Sequence, residues 1–321
     1  MTHVAVAARS FCRNVTLRAE LTARYAETTF SESSNLLQGE ALVRFLRGHD
    51  RAIVGLERID EGVLAELPEL EIISKYGVGL DGIDLEAVAR HGVKLAWTGG
   101  VNKRSVAELT LAFAIALLHR VPETSVALRA GEFQKLAGRQ LTGRTVGIIG
   151  CGFVGKDLVS LLAPFGCRVL AHDILDYADF YAAHGVEAVS LDRLLSEADV
   201  VTLHVPLDDS TRGMIGAAQL ARMQKGACLI NAARGGLVDE AALIDALSSG
   251  HLAGAACDVF QMEPEANPDL LALPAFLGTP HIGGSTAEAQ LAMGRAAIAG
   301  LEHAQLLGPN HPAMGHQEAR P

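Results

Sequence analysis

Residues 145–173, TVGIIGCGFVGKDLVSLLAPFGCRVLAHD, join one apolar run to another through a glycine turn, with Gly150, Gly152 and Gly155 in the order G-x-G-x-x-G. The first glycine permits a tight turn at a strand end, and the second lets the backbone approach a pyrophosphate. The third lets the following helix pack closely on the strand, so that the helix N-terminus faces the phosphates. Such a strand–turn–helix–strand unit is at home in an open parallel sheet with helices on both faces. Asp173 ends the second apolar run. Its carboxylate would accept hydrogen bonds from a ribose diol and repel a 2′-phosphate, and no arginine flanks it, so NAD rather than NADP is the expected cofactor. Cys151, inside the turn, is expected to be a small space-filler rather than a reactive thiol.

The same alternation runs along the whole chain. HVAVAA, DRAIVGL, EIISKYG and VKLAWTG read as strands in the first part, separated by the helical stretches TLRAELTARY, GEALVRFLRG, DEGVLAEL and DLEAVARHG. TVGIIG, CRVLAHD, ADVVTLHV, ACLINAA and LAGAACDV follow as strands in the second. At 321 residues and 49% hydrophobic, the chain can fill two cores, and with only 5% aromatics those cores must be aliphatic, as parallel sheets are. The expected class is therefore α/β, two doubly wound parallel-sheet domains with a cleft between them. One domain spans 1–98 and 291–321, and the other 99–290. A run with an S-x-x-E pattern from Ser105 to Glu108 is expected to open a buried crossover helix, and 287–307 reads as a closing helix. The end of the tail LLGPNHPAMGHQEARP is expected to be disordered.

Composition excludes several classes of function. A net charge of −10 argues against a nucleic-acid binder. The five cysteines show no metal-ligand spacing, so no metal is expected, and they read as reduced thiols of a cytoplasmic protein. The N-terminus lacks the pattern of a signal peptide, and the most apolar run, 106–118, contains Glu108 and is too short to span a bilayer.

Three polar residues stand just beyond late apolar runs: Arg234 in LINAARGGLVDE, Glu263 in AACDVFQMEP and His281 in GTPHIGGST. Ligands of open α/β sheets bind at the C-terminal ends of the strands, where all three fall. Singly, each has a bland reading as a surface cation, a solvated carboxylate or a turn residue. Together they meet the needs of one reaction. Arginine's planar fork suits a substrate carboxylate, histidine moves a proton near neutrality, and a glutamate beside it fixes the tautomer and raises its pKa.

These motifs, in this order, make the chain resemble the D-isomer-specific 2-hydroxyacid dehydrogenases, and within them the 3-phosphoglycerate dehydrogenases. The likeness runs from ISKYGVGLDGIDLEAVARHGV through GGVNKRSVAELTLAF and the glycine turn to TPHIGGST. It implies a Rossmann-type NAD domain, a flavodoxin-like substrate domain and a homodimer. It also implies catalytic roles for Arg234, Glu263 and His281. Substrate contacts would come from the turn KYGVGLD (Lys75, Gly77, Val78, Gly79) and from Asn102. Dinucleotide contacts would come from Phe153, Val154, Asp173, His204, Val205, Pro206, Ala232, Ala233, Asp258, Gly283 and Gly284, besides the three glycines. The expected reaction interconverts a polar (R)-2-hydroxy acid and its 2-keto acid, with 3-phosphoglycerate as the leading substrate. Glyoxylate, hydroxypyruvate or a phosphonate analogue are alternatives. Two departures matter. The family's longer phosphoglycerate enzymes carry a serine-binding regulatory domain, whereas only about 35 residues follow the GGST loop here, so serine feedback through such a domain is not expected. Further, the family's phosphate-holding arginine has no exact counterpart in IVGLERID, where Arg58 is shifted from its place, leaving Lys75, Lys103 and Arg104 to supply the missing positive charge. An NAD(H)-sensing corepressor is the other class considered, but a sensor would not need the intact Arg–Glu–His trio. No G-x-S-x-G elbow supports a hydrolase.

Overall fold

The computed structural model describes residues 2–308, 311 and 313, so the end of the tail, where disorder was expected, lies outside the described residues. The chain forms two compact units, Met1–Asn102 with Gly284–Pro321, and Lys103–Gly283. The expected boundaries were 98/99 and 290/291. In chain order the strands are β1 (Val4–Val6), β2 (Thr28–Phe30), β3 (Arg51–Val54), β4 (Ile72–Lys75), β5 (Lys94–Ala96), β6 (Thr145–Ile149) and β7 (Arg168–His172). Then come β8 (Val186–Ala188), β9 (Val200–Leu203), β10 (Cys228–Asn231), β11 (Gly254–Cys257), β12 (Phe276–Gly278) and β13 (Gln305–Leu306).

The first unit's sheet has the order β13-β5-β4-β3-β1-β2. All pairings are parallel except the antiparallel edge pair β13–β5. Side chains along β1 alternate between two cores, as the pleat requires. Ala5 and Ala7 face Leu42, Leu46, Val63 and Val88, whereas Val4, Val6 and Ala8 face Phe11, Leu17, Ile298 and Leu301. The first set belongs to helices Gly39–Leu46, Glu61–Ala65 and Leu85–Arg90; the second belongs to helices flanking β1 and to Ala287–His303. That closing helix is capped by Thr286, whose side chain accepts from Ala289 N. It is tied to β4 by a bond from Ser74 Oγ to the Ala297 carbonyl at 2.7 Å. It ends at His303, earlier than expected, because Gln305 and Leu306 leave it to pair with β5.

The second unit's sheet has the order β12-β11-β10-β9-β6-β7-β8, parallel throughout. This is the doubly wound order in which chain direction across the sheet reverses between β6 and β9. Helix Lys103–Leu118 lies on one face, with Ala107, Phe113, Ala114 and Leu117 packed among Ile148, Leu158 and Ile230. The apolar run 106–118 is thus core, as expected. Among the described residues no single helix is long and apolar enough to cross a membrane. The expected capping box is corrected. The helix starts at Lys103, so Ser105 lies inside its first turn, buried, and its hydroxyl bonds the Gly283 carbonyl instead of an amide of its own helix.

Candidate active site

The glycine turn between β6 and helix Phe153–Leu162 separates the jobs of its three glycines. Gly150 has φ 91°, and a Cβ on it would come within 2.7 Å of the His204 backbone. A Cβ on Gly155 would lie 2.4 Å from the Gly150 carbonyl oxygen. The protein's own packing therefore demands both. A Cβ on Gly152 would meet nothing within 4 Å. The middle glycine thus keeps an open cradle at a helix N-terminus, which is what a dinucleotide pyrophosphate requires. Asp173, half-buried at the end of β7, accepts the Cys151 amide through Oδ2 at 2.6 Å and the Leu175 amide through Oδ1 at 2.9 Å. It lines a cavity with Ile174, Leu175 and Val189 beside the turn. Phe153 is 49% exposed over the turn, with Val154 half-buried behind it. Burial pushes the Cys151 thiol up to about 11, so it is a neutral filler, as expected.

His204 follows β9, with its Nε2 against Thr202 Oγ1 at 3.0 Å. Burial pushes its pKa down to about 3, so the ring is neutral, and it is the His204 backbone that closes on Gly150. Val205 is half-buried and Pro206 exposed beyond it.

Arg234, Glu263 and His281 follow β10, β11 and β12, three adjacent strands of one sheet. His281 Nδ1 lies 2.8 Å from Glu263 Oε2. Glu263 is held in turn, its Oε1 accepting the Phe260 amide at 3.0 Å. An ionised carboxylate only accepts, so Nδ1 carries the hydrogen and Nε2 is the nitrogen left for proton transfer. The bond to Glu263 raises the His281 pKa against the opposing effects of burial and of the Arg234 charge. Burial pushes the Glu263 carboxyl up, but bonds from His281 and the Phe260 amide outweigh it, and the net shift is downward. With side chains 47% and 37% exposed, such a pair contributes only ~0–1 kcal/mol to stability. Its placement speaks for chemistry rather than for folding.

The loops are built to hold that placement. His281 has φ 55°, a left-handed conformation uncommon for a non-glycine residue and frequent where function demands it. Its amide donates to the Asp258 carbonyl at 2.8 Å. Asp258 itself is 1% exposed, and its carboxylate accepts Thr279 Oγ1 at 2.6 Å and the Ile282 and Gly283 amides at 2.7 Å. These three bonds make Asp258, expected as a dinucleotide contact, the residue that folds the His281 loop. Gly283 is buried in the same turn. Asn231, unremarked in the sequence, shapes the Arg234 turn by donating to the Arg234 carbonyl at 2.9 Å and accepting the Ala233 amide at 3.2 Å. An Asn closing an apolar run is a known turn signal that could have flagged it. Ala232 is buried and Ala233 half-buried in that turn, and Arg234 Nη1 donates to the Ala233 carbonyl at 2.7 Å.

In the first unit, Gly77, Val78 and Gly79 lie half-buried beyond the C-terminal end of β4. Trp97 Nε1 holds the Val78 carbonyl at 2.9 Å, and Gly77 turns at φ 112°. Lys75 is buried at the end of β4, its Nζ donating to the Gly55 carbonyl. Asn102 is 9% exposed, packed on Gly284. Of the cations offered for a phosphate, Arg58 pairs with Asp60 at 3.2 Å and Arg104 with Asp157 at 2.9 Å, and both arginine side chains are exposed.

The sequence profile of the D-isomer-specific 2-hydroxyacid dehydrogenase NAD-binding domain matches residues 111–283. The D-3-phosphoglycerate dehydrogenase of Bacillus subtilis is 36% identical over 236 residues, 73% of this chain but only 45% of that protein. The chain thus spans about half the length of such relatives. The hydroxypyruvate reductase of Thermotoga maritima is 36% identical over 268 residues, 82% of this chain and 87% of that protein. Among solved structures, a D-isomer-specific 2-hydroxyacid dehydrogenase from a Polaromonas species superposes with a TM-score of 0.86. It is 28% identical, with 94% of this chain and 96% of that one covered. The glycine cradle, the strand orders and these matches agree: the chain belongs to the D-isomer-specific 2-hydroxyacid dehydrogenase family and carries its NAD-binding domain.

Proposed function

We propose that this chain interconverts a small polar (R)-2-hydroxy acid and its 2-keto acid, with NAD as the hydride partner. The observation that carries the reading is the 2.8 Å His281–Glu263 pair, electrostatically coupled to Arg234, on the strand edge of the sheet that holds the glycine cradle. When bound, NAD accepts or donates the hydride. In reduction, His281 Nε2 gives its proton to the substrate's carbonyl oxygen, and Glu263 stabilises the imidazolium before that transfer. Arg234 holds the carboxylate in a planar fork and polarises the adjacent carbonyl. The amides of Gly77, Val78 and Gly79, beyond β4 of the first unit, are further donors for the acid's carboxylate. A homodimer is part of the proposal, supported by exposed Val126, Leu128 and Phe133 in the segment after helix Lys103–Leu118.

The test is NADH absorbance with a panel of 2-keto acids, with and without a phosphate tail. Consumption with at least one is expected; tight NADH binding without consumption of any would leave a sensor. Replacing Asp173 by alanine should lower the preference for NAD over NADP ~10-fold or more, since charged hydrogen bonds of this kind carry about that much. Because Asp173 also holds the Cys151 amide, NAD affinity itself should fall too. A variant that rejects NADP as the parent does would place the selectivity elsewhere.

A further inference from the structure

The first unit holds a cavity of about 230 Å³ whose residues take no part in the Arg–Glu–His trio, the glycine turn or the turn at 77–79. It lies beyond the C-terminal ends of β1 and β2, neighbouring parallel strands, at the edge where open α/β sheets take their ligands. Its walls come from helix Arg9–Arg13 after β1, from Arg18 in helix Val15–Thr22, and from residues 31–34 after β2.

Three arginines line it: Arg9, Arg13 and Arg18. Arg9 Nη1 donates to the Ser34 carbonyl at 2.9 Å, tying two of the walls together. Arg18 Nη1 donates to the Cys12 carbonyl at 3.1 Å, and its guanidinium carbon sits 4.1 Å from the centre of the Phe30 ring. Arg13 is exposed and makes no hydrogen bond or ion pair among the described residues. Carbonyls and a ring orient guanidiniums without neutralising them. The half-buried Arg51, Arg139 and Arg144 each meet a carboxylate at 3.5 Å. Arg9 and Arg18 are half-buried too, yet among the described residues no carboxylate pairs with any of the three cavity arginines. Glu32, the carboxylate on the lining, is exposed and outside ion-pair range of all three. Ser31 adds a donor. It is 7% exposed, its Oγ accepts the Ser33 amide at 3.3 Å, and its hydroxyl hydrogen has no acceptor among the described residues.

Oriented positive charge without a counterion is what an anion requires. Arginine forks grip phosphoryl oxygens in pairs, and a group with several free oxygens suits donors arriving from two helices and a loop. Cavities for drug-sized ligands start at roughly 300 Å³, so this one suits a small anion rather than a nucleotide. We propose that the cavity is a separate anion site, binding a phosphoryl group, free or carried by a small ester, between Arg9, Arg13, Arg18 and the Ser31 hydroxyl. Arg58, Lys75, Lys103 and Arg104, considered above for a substrate phosphate, do not line it. Its occupancy does not require the chain to reduce any keto acid.

The test is titration calorimetry of the full chain with inorganic phosphate and, separately, with glycerol 3-phosphate. Saturating NADH is present throughout, so that neither ligand reports on the glycine turn. Saturable binding is expected, and the tighter ligand identifies the source of the phosphoryl group. Arg13→Ala should weaken binding ~10-fold or more, the weight of a charged hydrogen bond. Because Arg13 is exposed and unbonded, the variant's NADH affinity and its melting temperature without phosphate should match the parent's. Phosphate should raise the parent's melting temperature more than potassium chloride at equal ionic strength, since a ligand of the folded state stabilises it and general screening does not depend on the anion's shape. Binding at the parent's affinity in Arg13→Ala would place the anion elsewhere and overturn the inference. Stabilisation that chloride reproduces, or no saturable binding of either ligand, would overturn it as well, and the keto-acid reading would stand in each case.

Discussion

His281→Ala is expected to lower kcat for keto-acid reduction ~10²-fold or more, the usual weight of a positioned general acid. The melting temperature should barely move, because the half-exposed pair with Glu263 contributes little to folding. NADH affinity should persist, since the glycine cradle and Asp173 are untouched. Steady-state kinetics and a thermal melt in the same buffer separate these outcomes, and an unchanged kcat would remove the proton-donor role. The pH profile gives a second check. Reduction needs the protonated imidazole, so the parent's rate holds at low pH and falls as pH rises through the His281 pKa. Glu263 raises that pKa, moving the fall to higher pH than an isolated imidazole would show. Oxidation needs the neutral ring and rises through the same value. In the alanine variant both limbs should disappear.

The parts of this machinery that were legible in the sequence are those written in short, local patterns. The glycine turn, its strands and the positions of Arg234, Glu263 and His281 beyond apolar runs all follow from neighbours in the chain. The short edge strands did not show. Thr28–Phe30 and Val186–Ala188 offer three residues each, not all buried, too few to display a period. Long-range bonds were invisible as well. Ser105 and Glu108 have the spacing of a local cap, yet the Ser105 hydroxyl is claimed by Gly283 from the far end of the same unit. Asp258 ends an apolar run much as Asp173 does, and only the fold shows that one carboxylate is enclosed by its own loop while the other borders a cavity.

Arg234→Ala should lower kcat/KM for the keto acid by ~10²–10³-fold, the loss seen when a donor aimed at developing negative charge is removed. Arg234→Lys should recover only part of it, because an ammonium keeps the charge but not the planar fork that grips a carboxylate. The guanidinium is oriented before substrate arrives: its Nη1 is anchored on the Ala233 carbonyl, and Asn231 fixes the turn from which it projects. A lysine has no comparable anchor geometry, so its charge would be less well aimed. The substitution should also announce itself through its neighbour. The Arg234 charge lowers the His281 pKa, so its removal in Arg234→Ala should let that pKa rise and carry the fall in reduction rate to higher pH. Lysine, keeping the charge, should leave the limb near the parent's position. A loss of NADH affinity alone, with kcat and the pH limb unmoved, would place Arg234 on the cofactor and not on the acid. A limb that shifts in the alanine variant but not in the lysine one ties the guanidinium and the imidazole to one reacting centre.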